Sequence, residues 1–105
     1  MKMLQAMLRP ESELKVIDAL EKENIFAMTK WDVLGRGQQH GIQVGEVHYS
    51  ELPKLMMMIV VEDDQLGPAL KAIRESANTG RPGDGRVFVS PVSHAYTIRT
   101  GKMAH

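Results

Sequence analysis

Cysteine is absent from the 105 residues, which removes disulfides and thiolate metal sites from consideration. A reducing, cytoplasmic location fits that absence. Aromatic residues are scarce as well, at 5%, with one Trp, two Tyr and two Phe. That is thin for a protein that stacks unpaired bases. No charge of one sign dominates, since 13 Lys and Arg face 13 Asp and Glu. A general nucleic-acid binder usually carries a basic surplus, so no nucleic-acid partner is expected. Long apolar runs are missing too. The longest covers residues 55–61, far short of the roughly 20 residues that span a bilayer. The opening MKMLQAMLRPE meets a proline and an acid before any apolar stretch of secretory length develops. A single domain over residues 1–105, without membrane insertion, is the expectation.

The charge neutrality conceals a separation. Residues 1–70 hold 7 basic and 11 acidic side chains, whereas residues 71–105 hold 6 basic and 2 acidic ones. Most of the late positive charge lies near a glycine-rich stretch.

Along the chain, residues 1–9 read as a strand with apolar side chains on both faces, hence a central one. Ser12 is the expected N-cap of a first helix, with Leu14, Val16, Ile17 and Leu20 on its apolar side and Asn24 at its end. Residues 26–34 read as a second strand. From 36 to 52 no periodicity is clear, and four of the nine glycines fall between 35 and 45. Connections that long are usually functional or disordered. Residues 54–62 read as a third strand, apolar throughout and expected to be buried on both faces. A second helix follows, capped by Asp63 or Asp64, with Leu66, Leu70, Ile73 and Ala77 as its stripe. Residues 87–92 read as a fourth strand. Residues 95–100 read as a short fifth strand, and a tail over 101–105 is expected to fray. The order strand–helix–strand–strand–helix–strand predicts an α+β, ferredoxin-like βαββαβ fold. Right-handed crossovers would put both helices on one face of the sheet, leaving the other for neighbouring subunits to cover.

Three segments carry candidate chemistry. The turn TGRPGDGR at 79–86 imitates a phosphate-binding P-loop, but Arg86 replaces the lysine, Val87 the hydroxyl residue, and a strand follows instead of a helix. The P-loop reading fails. Consecutive amides around Gly83 and Gly85 can still form an anion nest, with Arg81 and Arg86 beside it. A plain helix-to-strand turn accounts for the same residues. The segment GRGQQHG at 35–41 sets two glycines and the amides of Gln38 and Gln39 at a strand end, where backbone can approach a ligand. A flexible loop base is the alternative. Lys54 and Arg99 lie near strand ends, each unremarkable as a surface charge and informative only if they converge with the glycine segments. The four histidines form no zinc pattern. No acid–base pair or nucleophile elbow emerges, so an enzyme is not expected.

Taken together, GRGQQHGIQVGEVHYSELPK, MIVVEDD and TGRPGDGRVFVSPVSHAYTIRTG resemble the PII nitrogen-signalling family over residues 1–102. The segments LGRGQQHGI-x-VG and FVSPV-x-x-AYTIRTG look like its nitrogen-fixation branch, whose members bind and inhibit nitrogenase. The resemblance implies a homotrimer or trimer-based assembly with ATP or ADP in each cleft between neighbours. It implies 2-oxoglutarate, with magnesium, at the base of the long loop over about 36–52, called the T-loop. By that resemblance Thr29, Gly37, Gln38, Gly83, Asp84, Gly85, Arg86 and Arg99 are the nucleotide residues. Gln39 and Lys54 are the 2-oxoglutarate residues, with Gln39 also a magnesium ligand through the ligand complex. Ile42, Val44, Glu46, His48, Tyr49 and Glu51 belong to the partner-facing loop.

Two departures bear on affinity. Gln38 stands where many members have arginine, and Thr97 where they have the first of two closing arginines. Either nucleotide affinity falls, or Arg81 or Arg36 compensates. The loop is also about four residues shorter than in the well-known enterobacterial type, and Tyr49 does not align with the tyrosine uridylylated there. The implied function is a sensor of adenylate and 2-oxoglutarate that controls nitrogenase, with a paralogous PII-like subunit as a second possible partner. Control of an ammonium transporter or a metabolic enzyme is the alternative.

Overall fold

Leu4, Ala6 and Leu8 alternate with Met3, Gln5 and Met7, the period of an extended chain. In a computed structural model, which describes residues 1–37 and 40–105, they form β1 (Lys2–Leu8). Pro10 ends that strand, because it cannot donate to a ladder. The chain then turns once in a 3-10 helix, Pro10–Ser12, before α1 (Glu13–Lys22). Ser12 is therefore not the expected cap. It is buried, already in helical conformation, and makes no side-chain capping bond.

The end of α1 follows the expected chemistry. Asn24 takes a φ of +59°. Its amide donates to the Glu21 carbonyl at 2.9 Å and that of Ile25 to the Leu20 carbonyl at 3.0 Å. This pair of bonds is the Schellman arrangement, with buried Ile25 and Leu20 as its apolar contact. Val16 and Leu20 face the core, while Leu14 is 74% exposed and lies outside the expected stripe.

The second strand begins later than expected, as β2 (Thr29–Gly35). The long connection is not structureless. It contains a two-stranded ribbon, β3 (Ile42–Val44) and β4 (Val47–Tyr49), closed by Gly45 and Glu46. Gly45 has φ +60°, the sign that the first residue of a tight hairpin turn needs. β5 (Leu52–Val61) follows, already paired at Pro53. Its side chains alternate: Leu55, Met57, Ile59 and Val61 are buried, and Met56, Met58 and Val60 are not. Burial on both faces is thus not found within one chain. The second helix, α2 (Leu66–Ala77), opens through a 3-10 turn capped by Glu62 and Gln65 reciprocally, in place of Asp63 or Asp64. Ala69, Ile73 and Ala77 are its buried residues, with Leu66 and Leu70 packed beside them.

β6 (Gly85–Pro91) completes an antiparallel sheet of order β2–β5–β1–β6. This is the α+β, ferredoxin-like arrangement. Residues 95–100, expected as a fifth strand, do not join it. Residues 95–105 fold back on themselves through a Tyr96–Met103 bridge. The Thr97 amide donates to the Lys102 carbonyl at 2.9 Å and that of Ala95 to the His105 carbonyl at 3.0 Å, so the tail is tied rather than frayed.

The core lies between one sheet face and the helices, built from Leu4, Leu8, Val16, Leu20, Met57 and Ile73 with their neighbours. The register places Trp31, Met56, Met7 and Arg86 in one row across the other face, and Thr29, Met58, Gln5 and Phe88 in the next. Met7, Met56 and Met58 there are half-buried, and Trp31 and Phe88 exposed. The longest dimension is 56 Å against 25 and 20 Å, and the radius of gyration of 15.8 Å exceeds the roughly 13 Å of a compact chain this long. The chain is elongated.

Candidate functional site

The sheet brings four strand ends to one edge. β2 ends at Gly35, β1 ends at Leu8, β5 starts at Leu52 and β6 at Gly85. Everything attached to those ends converges, although it comes from sequence positions 9, 36, 54 and 79–86. An open groove of about 660 Å³ lies there, lined by Gly35, Arg36, Gly37, Lys54, Gly83 and Arg86, with Met7 and Phe88 as apolar lining. Its described lining residues include three cations and no carboxylate.

The turn at 79–85 is built around one side chain. The Asp84 carboxylate accepts from the Thr79 hydroxyl, from the Thr79 amide at 2.8 Å and from the Gly80 amide at 3.0 Å. Arg9 Nε adds a fourth donor at 3.3 Å. Those bonds, the Thr79 hydroxyl first, hold the Asp84 acid well below the usual carboxylate range. Arg9 also donates from Nη2 to the Pro82 carbonyl at 2.7 Å. On the far side Lys54 Nζ donates to the Gly83 carbonyl at 3.1 Å. The turn is thus held by cations from β5 and from the residue after β1.

Two glycines make this path possible. Gly85 has φ +107°, and a Cβ there would stand 1.8 Å from the Met7 carbonyl oxygen. Gly83 has φ +97°, and its Cβ would lie 3.1 Å from Arg9 Nη2. Neither position accommodates a side chain without movement.

The sequence-predicted residues divide accordingly. Gly37, Lys54, Gly83, Gly85 and Arg86 line the groove. Asp84 does not; its carboxylate turns inward on the loop it stabilises, and it borders a second cavity of about 430 Å³ on the helix side. Thr29 sits at the start of β2 opposite Met58, and Arg99 on the exposed C-terminal turn; neither lines the groove of this chain. Gln38 and Gln39 lie outside the described residues. Ile42, Val44, His48 and Tyr49 form the ribbon, Glu46 its turn, and Glu51 the exposed return to β5. Pairing puts Ile42, Tyr49, Val44 and Val47 on one ribbon face and Gln43 with His48 on the other. Arg9 was missed in the sequence. Only the register opposing Leu8 to Gly85 reveals its place beside the turn.

The family described as nitrogen regulatory protein P-II matches residues 1–102. A Methanosarcina barkeri protein named nitrogen fixation nifHD1 region GlnB-like protein 1 is 54% identical over 102 residues, 97% of each chain. A Methanococcus maripaludis protein named nitrogen fixation nifHD region glnB-like protein 1 is 50% identical over 100 residues, 95% of each. Nitrogen regulatory protein P-II 1 of Methanothermobacter thermautotrophicus is 42% identical over 106 residues, covering 97% of this chain and 92% of its own.

Proposed function

The chain belongs to the nitrogen regulatory protein P-II family, and from that premise we propose that it senses ATP or ADP together with 2-oxoglutarate and controls nitrogenase through its 36–52 loop. P-II proteins are signal transducers, and this chain is a regulator rather than an enzyme. The observation that carries the ligand reading is the groove, where three cations and the glycine backbone of the 79–85 turn face one space without a carboxylate in its described lining. Nucleotide phosphates match that charge, guanidinium binds them bidentately, and the apolar side chains of Met7 and Phe88 suit a base. Among the described residues no cluster of three or more His, Asp or Glu could hold a metal alone. Magnesium would arrive with the phosphates and 2-oxoglutarate, with Gln39 as its protein ligand.

Thr29 and Arg99 fit the same reading if a neighbour supplies them. The uncovered sheet face bearing Trp31, Met56, Met58 and Phe88 supports a trimer, since that much apolar surface calls for a cover. The names of the relatives, which place them in nitrogen-fixation regions, support nitrogenase as the target.

The mechanism is linkage. A ligand changes the loop only by binding its conformers unequally. Lys54 joins the phosphate turn to β5, and Gly37 lines the groove where the chain leaves β2 for the ribbon. Occupying the groove therefore acts on both ends of the loop that presents the ribbon. High 2-oxoglutarate would release nitrogenase.

Calorimetry tests the sensor: ATP with magnesium should bind, and more tightly with 2-oxoglutarate present. No binding at millimolar ATP would overturn it. Nitrogenase assayed with the protein should be inhibited and then relieved by 2-oxoglutarate. The general P-II name of the Methanothermobacter thermautotrophicus relative supports the second reading, a transporter or metabolic enzyme as target. Capture of either from nitrogen-fixing cells, without nitrogenase, would favour it.

A further inference from the structure

Four arginine and lysine side chains besides Arg86 stand close enough to the phosphate turn in sequence or space to serve a ligand there, and the structure separates them. Arg9 is committed to the Pro82 carbonyl and Asp84. Arg81 does not line the groove; its Nε reaches back to the Thr79 hydroxyl at 3.3 Å. Lys54 lines the groove but already holds the Gly83 carbonyl. Arg36 lines the groove, is exposed, and has no ion pair among the described residues. Its position follows from the end of β2. Gly35 passes so close to Lys54 that a Cβ would meet the lysine stem at 3.2 Å. The strand therefore delivers the next residue, Arg36, to the groove that Lys54, Gly83 and Arg86 also line.

We propose that Arg36 is a phosphate-binding residue of this groove, completing with Lys54 and Arg86 a three-cation clamp that favours a nucleoside triphosphate over the diphosphate. The proposal rests on the nucleotide reading above. Attraction between fixed cations and a ligand scales with the ligand charge, so each added cation favours the more highly charged ligand. A guanidinium also takes two phosphate oxygens in one plane, which a lysine cannot. Arg36 lies one residue beyond β2, at the start of the segment that leads to the ribbon. A terminal phosphate held there would be sensed by the loop through one covalent step.

The test is calorimetry of ATP and ADP at fixed salt and magnesium on the full chain and on Arg36→Gln, Arg36→Lys and Arg81→Gln. Arg36→Gln should weaken ATP about tenfold and ADP about threefold. Arg36→Lys should recover part of the loss, and Arg81→Gln should stay within about twofold of the parent for both ligands. Melting curves should coincide, since Arg36 is exposed; should Arg36→Gln melt early, the Arg36→Lys comparison carries the test. If the parent binds ATP and Arg36→Gln binds it equally well, the clamp is refuted and the sensor stands. Equal losses for ATP and ADP would refute the triphosphate preference. A parent that binds neither nucleotide overturns both readings.

Discussion

Replacing Gly85 with alanine isolates the contact on which the 79–85 turn depends. The new Cβ would fall 1.8 Å from the Met7 carbonyl oxygen, where ordinary contact begins at 3.4 Å. The obstacle is backbone, so no side-chain rotation relieves it. Either the start of β6 moves off β1 or the turn changes path. The positive φ of +107° contributes about 1 kcal/mol, and the backbone distortion that relieves the overlap contributes about 1 kcal/mol more. A weakened ladder bond between the strands adds about 1 kcal/mol. About 3 kcal/mol results, which for a chain of this length lowers the melting temperature by roughly 15 °C. Gly80→Ala is the matched control: φ is also positive, at +79°, but no atom lies within 4 Å of the added Cβ. It should cost about 1 kcal/mol. The assay is thermal unfolding of parent and both variants at one protein concentration, because assembly would make melting concentration-dependent. Gly85→Ala melting together with Gly80→Ala would refute the claim that close approach, rather than conformation alone, demands glycine at 85.

Three further outcomes follow from the same structure. The folded-state pKa of Asp84 is depressed, chiefly by the Thr79 hydroxyl and amide. Its contribution is thus complete above the unfolded value near 4 and is lost as pH falls below that toward the lower folded value. Melting of the parent should decline between pH 4 and 2 more steeply than melting of Asp84→Asn; parallel curves would remove Asp84 as the keystone. Leu20→Ala empties a fully buried site that also closes the α1 terminus, and should cost about 2–5 kcal/mol in urea unfolding. Met56→Glu puts a charge in the centre of the uncovered sheet face. Sedimentation should then show a smaller assembly than the parent, and an unchanged mass would place the subunit contact elsewhere.

The sheet was legible because its two central strands are apolar on both faces, which residues 1–9 and 55–61 display without ambiguity. The convergence of Lys54 with the two glycine segments was legible only as a possibility, since it depends on pairing rather than on local pattern. Arg9 shows the limit. Nothing around it marks a function, and its role arises because Leu8 opposes Gly85. The ribbon escaped because its strands are three residues each, too short for alternation to stand out; Gly45 was the available signal. Leu14 was misplaced since a helical period defines several apolar rows and only tertiary packing chooses among them. The segment 95–100 has strand composition, but Gly101, at φ +70°, turns the chain back before a sheet partner is reached. Thr29 and Arg99 mark a different boundary. Family resemblance assigns them to the nucleotide site, whereas neither lines the groove of this chain.

The uncovered sheet face has a chemical consequence of its own. With eight methionines and no cysteine, the only oxidisable sulfur in the chain is thioether. Met57 points into the core, but Met3, Met7, Met56 and Met58 gather on the opposite face, only half-buried. Sulfoxidation there would exchange flexible apolar side chains for polar, chiral ones without touching the packing under the helices. Oxidant damage at these four residues would therefore change the chemistry of the uncovered sheet face while the core residues packed under the helices keep their contacts.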